Sequence, residues 1–585
     1  MSGRALTGYP SIDKPWMKYY VNDTDIISAV NCTIYENLYR NNKDFLSDPA
    51  ILYFGNKIPY SAVFENVDKC AKALKGIGIK AGDIVNLCTA GVPEVIYILF
   101  ACSRIGAVAN FVSPLFTIDQ MADRIKETGE DWLFILDALF PYVKDVIPRA
   151  GIKNAVIIPQ AASMPVALRE SLQSRKDNVE NHMNIHAGHS LLIWDDFLSA
   201  GEKVTDSYEV PYEKNRPVIM VYSSGTTGAS KGILLTNDGI NATVSYYQTK
   251  AFPTLRGETT LQMIPIWFST GIILSVIMPM IKGVTVIMEP RYSKEIFAEN
   301  MARYKPNMNL HSTSLWMYLV SSKIMENADM SDLRYPASGG EKYLKKDEDR
   351  IGLFLKQHGC TREMIKGYGM CEFGSTIATS TAAPGYVSKP GGTGYPMKGV
   401  MISAFDTDTD KELKYRQRGE IRVSSPARMK GYYNNPEATE AFFKTDERGV
   451  EWGCTGDIGF VDEDGEIFIL GRMVDSFVNE DGKRIFLFDS EDIINESIDV
   501  VASKVVDVKL AGKHVLVAHI VVQQDSIEDL NDFILKTYER CKQALSPDSV
   551  PHYYRIREQL PVNKNGKLDV ESMKNDGVED TLYIN

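Results

Sequence analysis

Between Ala50 and Val112 short β-leaning apolar runs alternate with segments of helical spacing, and this alternation limits what the chain can become. Ile51–Phe54 and Ile58–Tyr60 read as strands around the turn Gly55-Asn56-Lys57. Ser61 is the expected cap of a helix carrying Val63, Val67, Cys70, Ala71 and Leu74, ended at Gly76-Ile77-Gly78. Ile84–Cys88 is the next strand, Pro93 opens an apolar helix through Ala107, and Val108–Val112 is a strand again. Strand–helix alternation of this kind argues for a parallel α/β architecture. At 585 residues the chain exceeds the roughly 250–300 at which a single core stops growing, so at least two domains are expected. Residues 160–215 are polar, show no sustained period, and read as a variable insertion.

The balance of 64 basic against 76 acidic residues gives a formal charge of −12, which argues against broad binding to nucleic acid or anionic membranes. No stretch of about 18 uninterrupted apolar residues predicts a membrane span. The start, Met1–Thr7, lacks an apolar core of signal-peptide length. Eight cysteines are scattered without a CxxC pair, as suits reduced thiols, and a cytoplasmic location is the expectation.

The strand-like run Val218–Tyr222 leads into Ser223-Ser224-Gly225-Thr226-Thr227-Gly228-Ala229-Ser230-Lys231-Gly232. Glycines let a backbone approach a ligand, and the hydroxyls with one lysine supply donors suited to phosphate oxygens. This is not the Walker pattern, which places glycine directly before the lysine and Ser or Thr after it. Here Ser230 precedes Lys231 and Gly232 follows. A solvated Gly/Ser turn is the plain alternative.

The loop resembles the signature of the adenylate-forming superfamily of acyl-CoA synthetases, adenylation domains and luciferases, with Ser230 where proline is usual. Further motifs follow in the family's order over about residues 50 to 570. The resemblance implies a large N-terminal domain over 1–474, made of two α/β subdomains and a small β-barrel-like subdomain. It also implies a smaller mobile α+β domain over 475–585, with the hinge at Asp475. In the loop, Ser223, Ser224, Gly225, Thr226, Thr227, Gly228 and Lys231 would hold the ATP phosphates, Thr226 in a catalytic role. Ser338-Gly339-Gly340-Glu341 resembles the turn against the adenine face. Lys366–Glu372 resembles "Tyr-Gly-x-Thr-Glu": Tyr368 would stack on adenine, Gly369, Met370 and Cys371 would line the nucleotide, and Glu372 would hold Mg²⁺. Cys371 stands where a threonine is usual, and a thiol is the weaker donor. Asp457, in Thr455-Gly456-Asp457, would accept the ribose hydroxyls, and Arg472 would reach the nucleotide. In Leu560–Asp569, spacing from Gly566 selects Lys567 over Lys564 as the lysine bridging substrate carboxylate and α-phosphate.

The acid's pocket is expected near Trp267, Phe268, Gly271 and His311, with ordinary core as the alternative for each. Phe268 stands where a histidine is frequent, and Trp267 about where amino-acid-activating members carry aspartate. The family's "Ile-Lys" is replaced by Phe477-Val478, so that lysine is missing. The resemblance therefore implies activation of an apolar carboxylic acid with ATP and Mg²⁺, then transfer to CoA. The alternative acceptor is the phosphopantetheine of an acyl carrier protein, and a non-catalytic nucleotide-binding module is the reading from a different class.

Overall fold

The computed structural model describes residues 6–20, 30–171, 190–223, 230–247, 254–341, 343–380, 386–523, 527–562 and 568–584. Its architecture is α/β with several packed sheets. An eight-stranded sheet holds six mutually parallel strands, Pro217–Tyr222, Val108–Phe111, Ile84–Cys88, Trp132–Leu136, Asn154–Ile158 and Ser190–Ile193, in that spatial order. Gly232–Thr236 and Gly431–Tyr432 extend its other edge antiparallel. Such strands, covered on both faces, need continuous apolar runs, and Ile84–Cys88 is buried at every position.

A nine-stranded sheet is built around a second parallel set: Pro49–Tyr53, Thr285–Met288, Thr259–Gln262, Met308–His311, Tyr335–Gly339 and Ile365–Met370. Asn56–Pro59 closes one edge, and Ser375–Thr379 with Tyr395–Pro396 closes the other. Helices between the two sheets share one apolar core. Pro93–Ile105 is buried along nearly its whole length, opened by Pro93 and stopped by Gly106 in the left-handed conformation. An antiparallel five-stranded sheet, Met401–Phe405, Gly419–Ser424, Glu451–Val461, Phe443–Thr445 and Ile467–Arg472, forms the third layer.

After the short hairpin Ser476–Val478/Arg484–Phe486, the chain builds a mixed four-stranded sheet with the helix Leu530–Ala544. This unit has its own apolar cluster, which includes Leu516, Ile520, Ile534 and Tyr554. Among the described residues no helix is long and apolar enough to cross a membrane.

Two local expectations need correcting. Tyr60 is not the end of a strand: it is the first residue of the helix Tyr60–Gly76, entered from Pro59 with no side-chain cap, so Ser61 lies inside the helix. The Tyr60 ring is fully buried and its hydroxyl donates to the Met280 carbonyl, so packing sets this helix start where local capping does not. Residues 160–215 are not wholly an insertion either. Ser190–Ile193 is the edge strand of the eight-stranded sheet and Trp194–Ser199 is a helix packed on it. An edge strand four residues long is too short to show a period.

Candidate active site

The sheet ends bring the motifs together. Ser224, Gly225, Thr226, Thr227 and Gly228 lie outside the described residues, but both ends of their loop are visible and clamped together. The Ser223 backbone N–H donates to the Lys231 carbonyl at 3.0 Å, and the Lys231 N–H returns a bond to Ser223 Oγ at 3.0 Å. Ser230 Oγ donates to the Ser223 carbonyl at 2.6 Å. The residue standing in the proline position thus closes the loop with a hydrogen bond.

Lys231 Nζ sits 5.0 Å from the centroid of the Tyr432 ring, and the Tyr432 hydroxyl donates to Glu372 Oε1 at 3.0 Å. Glu372 is buried, and burial pushes its carboxyl up from the usual range, against the Tyr432 bond and the charges of Arg472 and Lys231. The Met429 N–H donates to the Glu372 carbonyl, fixing the backbone as well. Tyr432 was not singled out from the sequence as a partner of Glu372. It ends the short edge strand Gly431–Tyr432, which pairs with Gly232–Thr236 just after the loop.

The other half of the site centres on Asp457. Its Oδ2 accepts from the Tyr368 hydroxyl at 2.5 Å, and its Oδ1 pairs with Arg472 Nε at 2.7 Å. Asp457 is buried while Arg472 is half exposed. Burial raises the Asp457 carboxyl, opposed by Arg472 and the Tyr368 bond. Tyr368, Asp457 and Arg472 come from three separate stretches and meet at one point. Ser269 Oγ donates to Cys371 Sγ at 3.2 Å, so the thiol that replaces threonine is engaged with the loop before Gly271. Gly369 is required by close approach: a Cβ there would stand 2.0 Å from the Ser375 carbonyl oxygen. Met370 ends the same strand.

Gly339 and Gly340 form the turn after Tyr335–Gly339, but the Glu341 carboxylate is directed elsewhere. It accepts from the N–H and the hydroxyl of Ser314, at the start of the helix Thr313–Ser321. Beside Ser338 and Gly367 lies a small cavity of about 70 Å³, walled by Leu274, Met278, Leu310 and Ile365. None of Trp267, Phe268, Gly271 and His311 lines it. Gly271 packs on backbone, where a Cβ would meet the Pro265 oxygen at 2.1 Å. His311 ends a strand with its ring against Phe297 at 4.7 Å, and burial lowers it to about 3, so it is neutral core. Trp267 and Phe268 pack on each other, half-buried, at 6.3 Å.

Lys567 lies outside the described residues. The flanking chain is clipped together by the bridge Val562–Leu568 and the Asp569 N–H bond to the Pro561 carbonyl. Asp475 pairs with the buried Lys504 at 3.2 Å, and Lys504 also meets Glu491 at 3.0 Å.

A family profile described as "AMP-binding enzyme" matches residues 38–433. The chain belongs to the AMP-binding enzyme family. Among the relatives of this AMP-binding enzyme is a long-chain-fatty-acid–CoA ligase of Bacillus subtilis, 23% identical over 568 residues, spanning 95% of this chain and 96% of the relative. A 4-coumarate–CoA ligase of Arabidopsis thaliana is 25% identical over 541 residues, covering 90% and 91%. An anthranilate CoA ligase crystallised with anthranoyl-AMP shares the fold of this AMP-binding enzyme at a TM-score of 0.76 and 18% identity, covering 93% of this chain and 97% of that one.

Proposed function

We propose that this enzyme activates an apolar carboxylic acid with ATP and passes the acyl group to the thiol of CoA. A carboxylate is a poor electrophile. Its oxygen attacks the α-phosphorus, pyrophosphate leaves, and the acyl-adenylate is then attacked by a thiol with loss of AMP. The observation that carries this reading is a pair of polar clusters, Lys231–Tyr432–Glu372 and Tyr368–Asp457–Arg472, with the charge of Arg472 felt by Glu372, together with an apolar cavity bordered by Ser338 and Gly367. Fixed donors and cations of this kind are what a reaction that builds charge on phosphoryl oxygens requires.

In this reading loop 223–231 holds the leaving phosphates and Lys567 neutralises the reacting oxygens. Asp457 receives the ribose hydroxyls, and Tyr368 gives up its bond to Asp457 to lie against the base. The cavity walls favour an apolar acid, fatty or aryl, placed with its carboxylate toward Gly367. Mg²⁺ fits the donor set. Among the described residues no group of three or more His, Cys, Asp or Glu side chains makes a metal cage. One hard carboxylate oxygen completed by substrate phosphates is how Mg²⁺ is commonly held. Glu372 would hold it, and the ion would neutralise phosphate charge. The boundary between a large domain, 1–474, and a small mobile one, 475–585, falls at Asp475, whose pairing with Lys504 makes it a natural pivot. The eight free thiols suit a reducing, cytoplasmic compartment.

The acceptor has a second reading. Val478, where the family's lysine is missing, is exposed on its hairpin, which favours a carrier-protein phosphopantetheine over free CoA. The test is ATP–pyrophosphate exchange across aliphatic, aryl and amino acids, with Lys567→Ala as control. Exchange with one apolar class that the variant loses supports the proposal, and added CoA then decides the acceptor. ATP binding without exchange for any acid rejects it.

A further inference from the structure

Lined by other residues than the candidate nucleotide site, a cavity of about 790 Å³ opens at the carboxyl edge of the eight-stranded sheet. Its walls come from the ends of Trp132–Leu136, Asn154–Ile158 and Ser190–Ile193, and from the hairpin and two helices that begin at Asn56, Tyr60 and Pro93. The carboxyl edge is where open parallel sheets take their ligands. None of the residues described in the site above lines it.

Glu94 lies at the inner end. Its side chain is 2% exposed. Oε1 accepts from Ser163 Oγ at 2.6 Å, and the Ser163 turn is held by Asn56, whose Nδ2 donates to the Ser163 carbonyl. Oε2 is buried and has no partner. Burial raises this carboxyl to about 7, and Asp137 adds to the effect; the Ser163 bond, the residue's own N–H and the charge of Arg169 oppose it. A buried carboxyl oxygen without a donor costs free energy, which protonation or a donor from a bound ligand offsets. The helix start explains why an acid can sit at Glu94, but not why one oxygen is left over. Around it the surface is apolar and aromatic, with Tyr97, Trp194, Pro59 and Leu198. Lys57, Arg169, Asp137 and Asp195 are the charged residues of the lining, and Arg169 Nε is occupied by the Met164 carbonyl.

We infer that this cavity is a second binding site, for an organic ammonium whose N–H donates to Glu94 Oε2 and whose apolar body lies against Trp194 and Tyr97. A cation is favoured over a neutral hydroxyl because it both supplies the missing donor and compensates the charge that burial penalises. Aromatic faces beside the charge add to its binding.

The test uses the full chain, saturated with AMP so that the nucleotide site is filled. Phenethylammonium, phenethyl alcohol and 3-phenylpropionate are titrated by ligand-observed NMR or calorimetry. The expected order is ammonium tighter than alcohol by about tenfold, one strong donor's worth, while the carboxylate serves as the competitor for the proposed acid pocket and leaves the ammonium bound. Glu94→Gln is expected to weaken the ammonium about tenfold and to leave the alcohol within about twofold. Trp194→Ala is expected to weaken both. Equal binding of ammonium and alcohol to the wild-type protein overturns the proposal without any variant having to fold. So does displacement of the ammonium by 3-phenylpropionate, or ammonium binding that Glu94→Gln leaves unchanged in a protein of wild-type circular dichroism.

Discussion

Glu372 and Glu94 are both buried acids near sheet ends, and burial raises both carboxyls, yet their surroundings differ. Glu372 has the Tyr432 hydroxyl on one oxygen and feels Arg472 and Lys231 from this same chain. Glu94 has Ser163 on Oε1, no hydrogen-bond partner on Oε2, and feels the charge of Arg169 without an ion pair to it. Desolvation is common to the two, so the difference lies in the counter-charge. Where the chain supplies cations, the acid can remain ionised and serve as a fixed element of a phosphate site. Where the chain's own cation is felt but not paired, as Arg169 is by Glu94, room is left for a cation from outside. A third acid, Glu491, shows the completed arrangement internally, with the ammonium of Lys504 3.0 Å away.

The sharpest way to break the comparison is to remove the charge of Glu372. Glu372→Gln keeps the shape and the Tyr432 contact, and is expected to lower exchange activity by about a thousandfold, the scale of losing one fixed electrostatic element of a phosphoryl site. A loss under about tenfold would place Glu372 among structural acids. Lys504→Met tests the internal precedent by leaving Glu491 buried without its cation. A destabilisation of about 3 kcal/mol in denaturant unfolding is expected, the scale of breaking a buried pair from one side. Asp457→Asn weakens the acceptor of two bonds at once; a KM for ATP raised about thirtyfold, with a smaller change in kcat, is expected from steady-state exchange kinetics.

Stability also depends on pH, and there the signs separate His311, on a sheet strand, from Glu94, on a helix. His311 in the folded protein titrates near 3, below the usual 6.5. The unfolded chain therefore takes up the proton first, and stability is lost as pH falls from about 6.5 toward 3, at up to about 1.4 kcal/mol per pH unit. Glu94 titrates near 7, above the usual 4.5, so the folded state holds the proton longer. Its contribution is complete below about 4.5 and is lost as pH rises toward 7, at a similar maximal slope. His311→Phe should flatten the acid limb and Glu94→Gln the limb between 4.5 and 7, each read from melting temperature against pH. A Glu94→Gln protein with an unchanged limb would show that Glu94 is already satisfied.

Most of the architecture was legible because parallel strands need long apolar runs and their helices keep a strict period. Ile84–Cys88 was read to the residue, and the helix opened by Pro93 ended within two of the expected position. The start at Tyr60 was not legible, because it rests on a ring buried against Met280, a contact 220 positions away. In the site, Glu372, Tyr368, Asp457 and Arg472 were named from their motifs and do converge. The expected pocket residues did not line the cavity, since a motif marks the strand and not which way each side chain leaves it. His311 and Leu310 are neighbours in one strand, and they face opposite sides. Glu94 carried no signal at all: an acid in the first turn of a helix is ordinary, and only the packing shows that one oxygen lacks a partner.

Ser230 has a thermal consequence. Proline stiffens a loop by depriving the unfolded chain of alternatives, an entropic effect that acts at any temperature. Here Ser230 instead adds one hydroxyl-to-carbonyl bond to the two that join Ser223 and Lys231, an enthalpic contribution that weakens on warming. The two ends of this loop are therefore held by hydrogen bonds where proline would act through the unfolded chain. If the loop holds the ATP phosphates as proposed, affinity for ATP should fall with temperature more steeply than in a Ser230→Pro variant.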